Sequence, residues 1–255
     1  MSSPCAACTR GCCRKYLVTV SGYDAWLIAT SLRLAPEQFL VAVRKDEPDG
    51  RGFLLDRSGV TYDIALDKAR ARSEDKPCVF WIGLPGGRGR CGIYPIRPQV
   101  CQTYPAILRL GRAERREDVL CPRPAWRDGV LEQPAWARRL HSMHVEYDIY
   151  RLVAARWNHH VMHTATPDLV SLSGYYAYVL QFYDRLAPVR AGVAPEEWAH
   201  LCEWWAGHLV RGTSPLVDDV PDPGRWAAVF QAIVECAAQL CGPESELLAA
   251  AAPNL

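Results

Sequence analysis

The sequence predicts an α+β protein, predominantly α, in which a small cysteine-rich domain with a β-hairpin packs on a C-terminal helical bundle. Two observations lead to this prediction. Eight of the 11 cysteines lie within the first 121 residues. Long stretches in which apolar residues recur with helical periodicity begin only near residue 133. We therefore expect a cysteine-rich domain at residues 1–125 and a helical domain at residues 126–255.

The first half of the chain carries signals for short strands and short helices. KYLVTV at 15–20 has the composition of a strand. Asp24 is expected to begin one helix, and Pro36 to begin another over PEQFLVAV. Residues 46–77 are polar and interrupted by glycine-containing turns, which indicates a surface excursion. CVFWIGLPGGRGRCGIYP at 78–95 predicts a β-hairpin with PGGRG as its turn.

The second half is predicted to be helical. From Trp136 to Val161, apolar residues follow alternating steps of four and three, which indicates one long amphipathic helix. Glu146 and Asp148 on this helix could act as acid–base groups, but we expect them on its solvated side. Further helix starts are predicted at Thr166-Pro167, Pro195 and Asp222-Pro223.

Charge and hydropathy exclude several classes of partner. The 255 residues include 29 Lys and Arg and 28 Asp and Glu, so the formal net charge is +1. This balance gives no general electrostatic case for nucleic acid or an anionic membrane as a partner. No apolar run approaches the roughly 18–20 residues that cross a bilayer, and the opening residues lack the pattern of a signal peptide. We therefore expect a cytoplasmic protein, with its protein or small-molecule substrate left open.

The cysteines are the most informative residues of the chain. Cytosolic thiols are kept reduced, so a dense cysteine pattern there indicates metal binding or catalysis rather than disulfides. Thiolates are soft ligands that suit zinc and iron–sulfur centres. The expected metal ligands are Cys5, Cys8, Cys12, Cys13, Cys78, Cys91, Cys101 and Cys121.

The spacing of these cysteines favours a polynuclear centre. Cys5 and Cys8 form a C-x2-C loop, which zinc sites and iron–sulfur sites share. Cys12 and Cys13 are adjacent, and in extended backbone their side chains would point to opposite faces. Such a pair serves two metals, or two irons of one cluster, more easily than one tetrahedral ion. Eight thiols allow two four-thiolate sites, or one cluster with additional cysteines, so an iron–sulfur cluster is favoured and zinc stays open.

Basic residues accompany the cysteines. A metal held by four thiolates usually carries net negative charge, and nearby cations can neutralise it. Arg90 and Arg97 are the expected cofactor-binding cations, with Arg14, Lys15 and Arg88 also close in sequence. The alternative for each arginine is an ordinary solvated surface position.

The stretch CGIYPIRPQVCQTYP at 91–105 resembles the C-x-I-Y-x-x-R-P-x-x-C-R-x-Y-P signature of the YkgJ-like cysteine-cluster family, a zinc- or iron-chelating domain of CxxCxxCC type. CAACTRGCC at 5–13 resembles the opening of that family, and WN at 157–158 resembles a dipeptide found beyond the cluster in some members. The opening here is one residue longer than the usual form, and Gln102 stands where the family usually has arginine. The resemblance covers about the first 125 residues.

The resemblance implies metal binding more than a particular reaction. Flagellin lysine N-methylases carry a similar cysteine cluster, so an iron–sulfur-dependent enzyme such as a lysine N-methylase-like methyltransferase is the alternative function. A binding protein would use all its cluster thiols as saturated ligands. An enzyme would keep one coordination position or one thiol open towards a cleft. The sequence carries no comparable methyl-donor signature and leaves catalysis undecided.

Overall fold

The computed structural model describes residues 11–46, 52–69, 76–85, 89–109, 111–117, 119–121, 131, 133–164, 170–216, 218 and 224–239. Within these ranges helix predominates and the strands form small antiparallel sheets, which confirms an α+β protein that is mainly α. The helices are α1 Cys12–Lys15, α2 Gly22–Leu32, α3 Gln99–Thr103, α4 Pro134–His163, α5 Leu172–Ala191, α6 Pro195–Val210 and α7 Ala227–Gln239. The strands are β1 Leu40–Arg44, β2 Phe53–Leu54, β3 Thr61–Leu66, β4 Trp81–Gly83, β5 Gly89–Cys91, β6 Ala106–Arg109 and β7 Arg112–Arg115.

The structure forms a three-stranded antiparallel sheet with the order β1-β3-β2 where the sequence predicted a helix from Pro36 and a surface excursion at 46–77. The helix expected from Pro36 is a single 3-10 turn over Pro36–Gln38, after which the chain continues as β1. The surface excursion expected at 46–77 instead supplies β2 and β3. Phe53 is fully buried and Ile64 almost so. Pairing with distant strands and burial of these side chains override the local turn signals.

The sheet packs against the helical half through strand β2. The Trp157 indole N–H donates to the Leu54 carbonyl (2.8 Å), and the Leu54 N–H donates to Asn158 Oδ1 (2.7 Å). The Asn158 side chain also donates to the Gly52 carbonyl (2.9 Å). Phe53 stacks on Tyr175 of α5, with 3.8 Å between ring centroids. The Trp157–Asn158 dipeptide thus provides hydrogen-bond partners for main-chain groups of Gly52 and Leu54. The apolar core extends from the sheet into the helices.

Helix α4 is the central element of the second half. Its 30 residues confirm the long helix expected from the apolar periodicity, and Leu140, Trp157 and Val161 of the predicted stripe are buried. The burial extends beyond that stripe, because Val145 and Val153 on other sides of the helix are also fully buried. Among the described residues, no helix combines the length and the apolar character needed to cross a membrane.

Glu146 and Asp148 do not lie on a solvated face, so that expectation is wrong. Glu146 is fully buried and pairs with Arg190 of α5. Asp148 is 4% exposed and accepts hydrogen bonds from the Trp205 indole (2.9 Å) and the Ser214 hydroxyl (2.5 Å). Polar partners outside α4 replace the water that these carboxylates would otherwise require.

Helix α2 begins with a capping box. The Ser21 hydroxyl accepts the Asp24 N–H, and Asp24 Oδ2 accepts the N–H and the hydroxyl of Ser21. Asp24 is therefore the third residue of α2 rather than its start. Its second oxygen, Oδ1, accepts the Gln99 N–H of α3 at 2.9 Å. One buried carboxylate thus joins α2 to the short helix that carries Cys101.

We expect Asp24 to make the stability of the protein depend on pH. Burial raises the pKa of Asp24 to about 6, whereas an unfolded aspartate titrates near ~3.9. The folded state therefore holds the proton more tightly, and stability falls as the pH rises from about 4 to about 6, by on the order of 2–3 kcal/mol. Urea unfolding across this pH range measures the free energies of unfolding of wild type and Asp24→Asn. The difference between the two should shrink as the pH rises. A constant difference would contradict this assignment.

Candidate metal centre

Cys12 and Cys13 lie in one turn of helix, not in extended backbone. Gly11, with a φ of 63°, takes the left-handed conformation that starts α1, which glycine adopts without strain. In a helix, consecutive side chains are separated by about 100°, so the two thiols need not point to opposite faces. Their hydrogen bond is the main cause that lowers the pKa of Cys13 to about 6, with Lys68 and Arg97 assisting and burial opposing.

The strand pair β4 and β5 brings Cys78 and Cys91 to α1. The Cys78 N–H donates to the Cys13 carbonyl (2.7 Å), and the Trp81 N–H donates to the Cys78 carbonyl (2.8 Å). Trp81 is in turn the antiparallel partner of Cys91. Residues 86–88, within the expected turn of the hairpin, lie outside the described residues.

The thiols of Cys78 and Cys91 share the surroundings of Cys13. Burial raises the pKa of Cys78 to about 11, and the neighbouring charges of Cys13 and Cys91 add to this increase. Burial also raises the pKa of Cys91, with Cys13 contributing in the same direction and Arg97 opposing it.

Helix α3 adds Cys101 to this group. Burial raises the pKa of Cys101 well above its usual value, and the charges of Cys13, Cys78 and Cys91 raise it further. Cys13, Cys78, Cys91 and Cys101 thus lie near enough to affect one another's pKa values, and Cys12 is next to Cys13 in α1. Among the described cysteines, none forms a disulfide.

The segment that carries Cys121 contacts two tyrosines near the other cysteines. The Leu120 N–H donates to the hydroxyls of Tyr104 (3.0 Å) and Tyr16 (3.3 Å), and the two rings lie 5.7 Å apart. Arg115 donates to the Cys121 carbonyl at 2.8 Å. Tyr16 directly follows α1, so these contacts connect Leu120 to the end of the helix that carries Cys12 and Cys13. The other two predicted ligands, Cys5 and Cys8, lie outside the described residues.

The two predicted cofactor-binding arginines differ in their positions. Arg97 is half-buried, its guanidinium carbon lies 3.9 Å from the centroid of the Tyr94 ring, and its charge acts on both Cys13 and Cys91. Its buried Nε has no hydrogen-bond partner among the described residues. Arg90 is exposed on β5 opposite Ile82.

Lys68 is a cation of this site that the sequence analysis did not identify. Its ammonium donates to the carbonyls of Cys13 (3.3 Å) and Tyr16. Lys68 also forms an isolated antiparallel bridge with Cys78. Lys68 is ten residues from the nearest cysteine in the sequence. It was therefore not among the basic residues that flank the cysteines.

The donor set fits a soft metal, although its side chains are not arranged as ligands. In the described ranges, no three His, Cys, Asp or Glu side chains are spaced to hold one metal ion. Main-chain hydrogen bonds nevertheless join α1 to Cys78 and to the β4–β5 pair, and the bond from the Gln99 N–H to Asp24 holds α3 against α2. Thiols are weakly polar and pack as small apolar groups when protonated. Rotation of their side chains would be needed to point the sulfurs at a common metal.

We expect Gly89→Ala to disturb the strand pair that carries Cys91. A Cβ at Gly89 would lie 2.2 Å from the Trp81 ring, whereas one at Gly83, its cross-strand partner, would lie 3.1 Å from it. Displacing the indole should lower the free energy of unfolding by about 1–3 kcal/mol. Urea unfolding of both alanine variants measures this effect, and Gly83→Ala should be the milder. Equal stabilities would show that Trp81 moves without cost.

Comparison with protein families matches residues 4–122 to the CxxCxxCC family, described as a "putative zinc- or iron-chelating domain". Neither the curated proteins nor the solved structures yield a match. The matched range contains all eight cysteines that the sequence analysis selected, including those gathered around Cys13. Residues 4–122 therefore match the CxxCxxCC family, as the signature at 91–105 predicted.

Proposed function

We propose that this protein binds a metal centre, an iron–sulfur cluster or zinc, through the cysteines of its first 121 residues, with a structural or redox role. Residues 1–125 would hold the centre and residues 126–255 would support it through the packing around α4. The ligands would be drawn from Cys5, Cys8, Cys12, Cys13, Cys78, Cys91, Cys101 and Cys121.

The gathering of thiols around Cys13 is the observation that carries this proposal. The Cys78 N–H donates to the Cys13 carbonyl, and Cys91 is the cross-strand partner of Trp81. Cys12 precedes Cys13 in α1, and the charge of Cys13 raises the pKa values of Cys78, Cys91 and Cys101. These are five thiols, one more than a tetrahedral ion accepts. The excess supports a polynuclear centre and favours an iron–sulfur cluster over a single zinc ion.

The thiols of the site would release protons when they bind a metal. Burial raises the pKa values of Cys78, Cys91 and Cys101, so these thiols must lose protons to become ligands. Metal affinity should consequently increase with pH. When bound, an iron–sulfur cluster would supply electron-transfer chemistry, whereas zinc would supply a structural crosslink. Because ligands distant in sequence would be tied together, the binding free energy would also stabilise the fold.

Elemental analysis combined with an absorption spectrum of an anaerobic preparation tests this proposal. A brown protein with broad visible absorption and matching iron and sulfide contents would support an iron–sulfur cluster. A colourless protein with stoichiometric zinc would support the zinc centre. A folded full-length protein that takes up neither metal under anaerobic conditions would contradict the proposal.

A further inference from the structure

Lys68 lies against the thiol cluster from a part of the chain that contains no cysteine. It follows β3 by two residues, and its main chain bridges to that of Cys78. Its side chain is half-buried and reaches the carbonyls of Cys13 and Tyr16. The three-stranded sheet therefore delivers one ammonium group to the end of α1.

The hydrogen bonds of Lys68 hold the two cysteine-bearing segments together. The Cys13 carbonyl accepts from both the Cys78 N–H (2.7 Å) and the Lys68 ammonium (3.3 Å). An ammonium carries three N–H groups, and two of them have carbonyl acceptors among the described residues. Loss of this side chain would remove contacts from the peptide group on which α1 and Cys78 meet.

The charge of Lys68 lies near the thiols and is not paired with a carboxylate among the described residues. Within the described part of the chain, Lys68 forms no ion pair, whereas Lys45 of the same sheet region pairs with Asp63 at 3.3 Å. The charge of Lys68 acts on both Cys13 and Cys78. Several thiolates on one metal centre carry net negative charge, and a nearby cation stabilises that state.

We propose that Lys68 is the positioning and charge-compensating residue of the metal centre, holding α1 through the Cys13 and Tyr16 carbonyls and offsetting the charge of the metal-bound thiolates. This inference rests on the proposed metal-binding function. It adds a residue outside the cysteine motif to the determinants of metal affinity. Lys68→Met keeps the approximate length of the side chain and removes its charge, whereas Lys68→Arg keeps the charge.

The test measures metal content and the rate of metal release to a chelator for full-length wild type, Lys68→Met and Lys68→Arg, with Lys45→Met as the matched control. We expect Lys68→Met to release metal about 10–100-fold faster, and Lys68→Arg and Lys45→Met to stay within about threefold of wild type. The metal-free stability of each variant is measured in parallel, because a merely structural role would lower it equally in Lys68→Met and Lys68→Arg.

The outcomes separate this inference from the function on which it rests. Metal in wild type with unchanged release from Lys68→Met would overturn the role of Lys68 and leave the metal centre intact. Equally fast release from Lys68→Met and Lys68→Arg would reduce Lys68 to a packing residue and overturn charge compensation. A wild-type protein that binds no metal would overturn the proposed function together with this inference.

Discussion

We expect Cys13→Ser to lose its metal, with an affinity reduced by more than about a hundredfold, because changes next to metal ligands alone cost about 10–100-fold. Cys13 is the thiol that the structure connects to Cys12, Cys78, Cys91 and Cys101. A serine hydroxyl is a harder and much less acidic donor than a thiol, so it replaces a thiolate poorly. Metal content after anaerobic purification and competition with a chelator measure the loss.

Cys236→Ser is the matched control for this prediction. Cys236 is half-buried on α7, in the helical half of the chain. We expect this variant to retain the metal content of wild type. Because metal binding and folding are coupled, Cys13→Ser should unfold at the same urea concentration as chelator-treated wild type. Full metal content in Cys13→Ser at wild-type affinity would remove Cys13 from the ligand set.

We expect Arg190→Met to lower the free energy of unfolding by about 3–5 kcal/mol, the usual cost of leaving a buried charge without its partner. Glu146 is fully buried, and Arg190 is its ion-pair partner. The Arg190 guanidinium also contacts two aromatic rings, with its carbon 4.2 Å from the centroid of Tyr23 and 4.6 Å from that of Trp198. One side chain of α5 therefore joins α2, α4 and α6. Urea unfolding near neutral pH measures the effect.

The double variant Glu146→Leu/Arg190→Met distinguishes charge burial from loss of packing. Removing both charges eliminates the unpaired carboxylate, so the double variant should be more stable than Arg190→Met. Burial raises the pKa of Glu146, and loss of Arg190 removes the charge that opposes this increase. The stability deficit of Arg190→Met should therefore narrow as the pH falls and Glu146 takes up a proton. A double variant as unstable as the single one would attribute the loss to packing.

The local patterns of the sequence were sufficient to identify the family and to predict helices α4 and α6. The signature CGIYPIRPQVCQTYP identified the CxxCxxCC family, which the family comparison confirms for residues 4–122. Apolar periodicity from Trp136 to Val161 predicted α4, and Pro195 marked the start of α6. These features depend on residues within a few positions of each other, so a single sequence can reveal them.

Strand pairing was beyond the reach of these local patterns. PEQFLVAV carries a helix-start signal, yet Leu40–Arg44 forms a strand because β3 pairs with it in register from Leu40↔Leu66 to Arg44↔Tyr62. The polar composition of 46–77 concealed Phe53 and Ile64, which are buried in the common core, where Phe53 stacks on Tyr175 of α5. Short strands obtain much of their stability from such partners rather than from intrinsic preference.

The amino-acid sequence by itself determined that this protein concentrates soft thiol donors in its first 121 residues and follows them with long amphipathic helices. Only the tertiary structure decided which groups surround those thiols and which carboxylates are buried. Lys68 reaches Tyr16 across 52 positions, and Arg190 reaches Glu146 across 44. Charge compensation acts through space over a few ångströms, and the distance along the chain therefore carries no information about it.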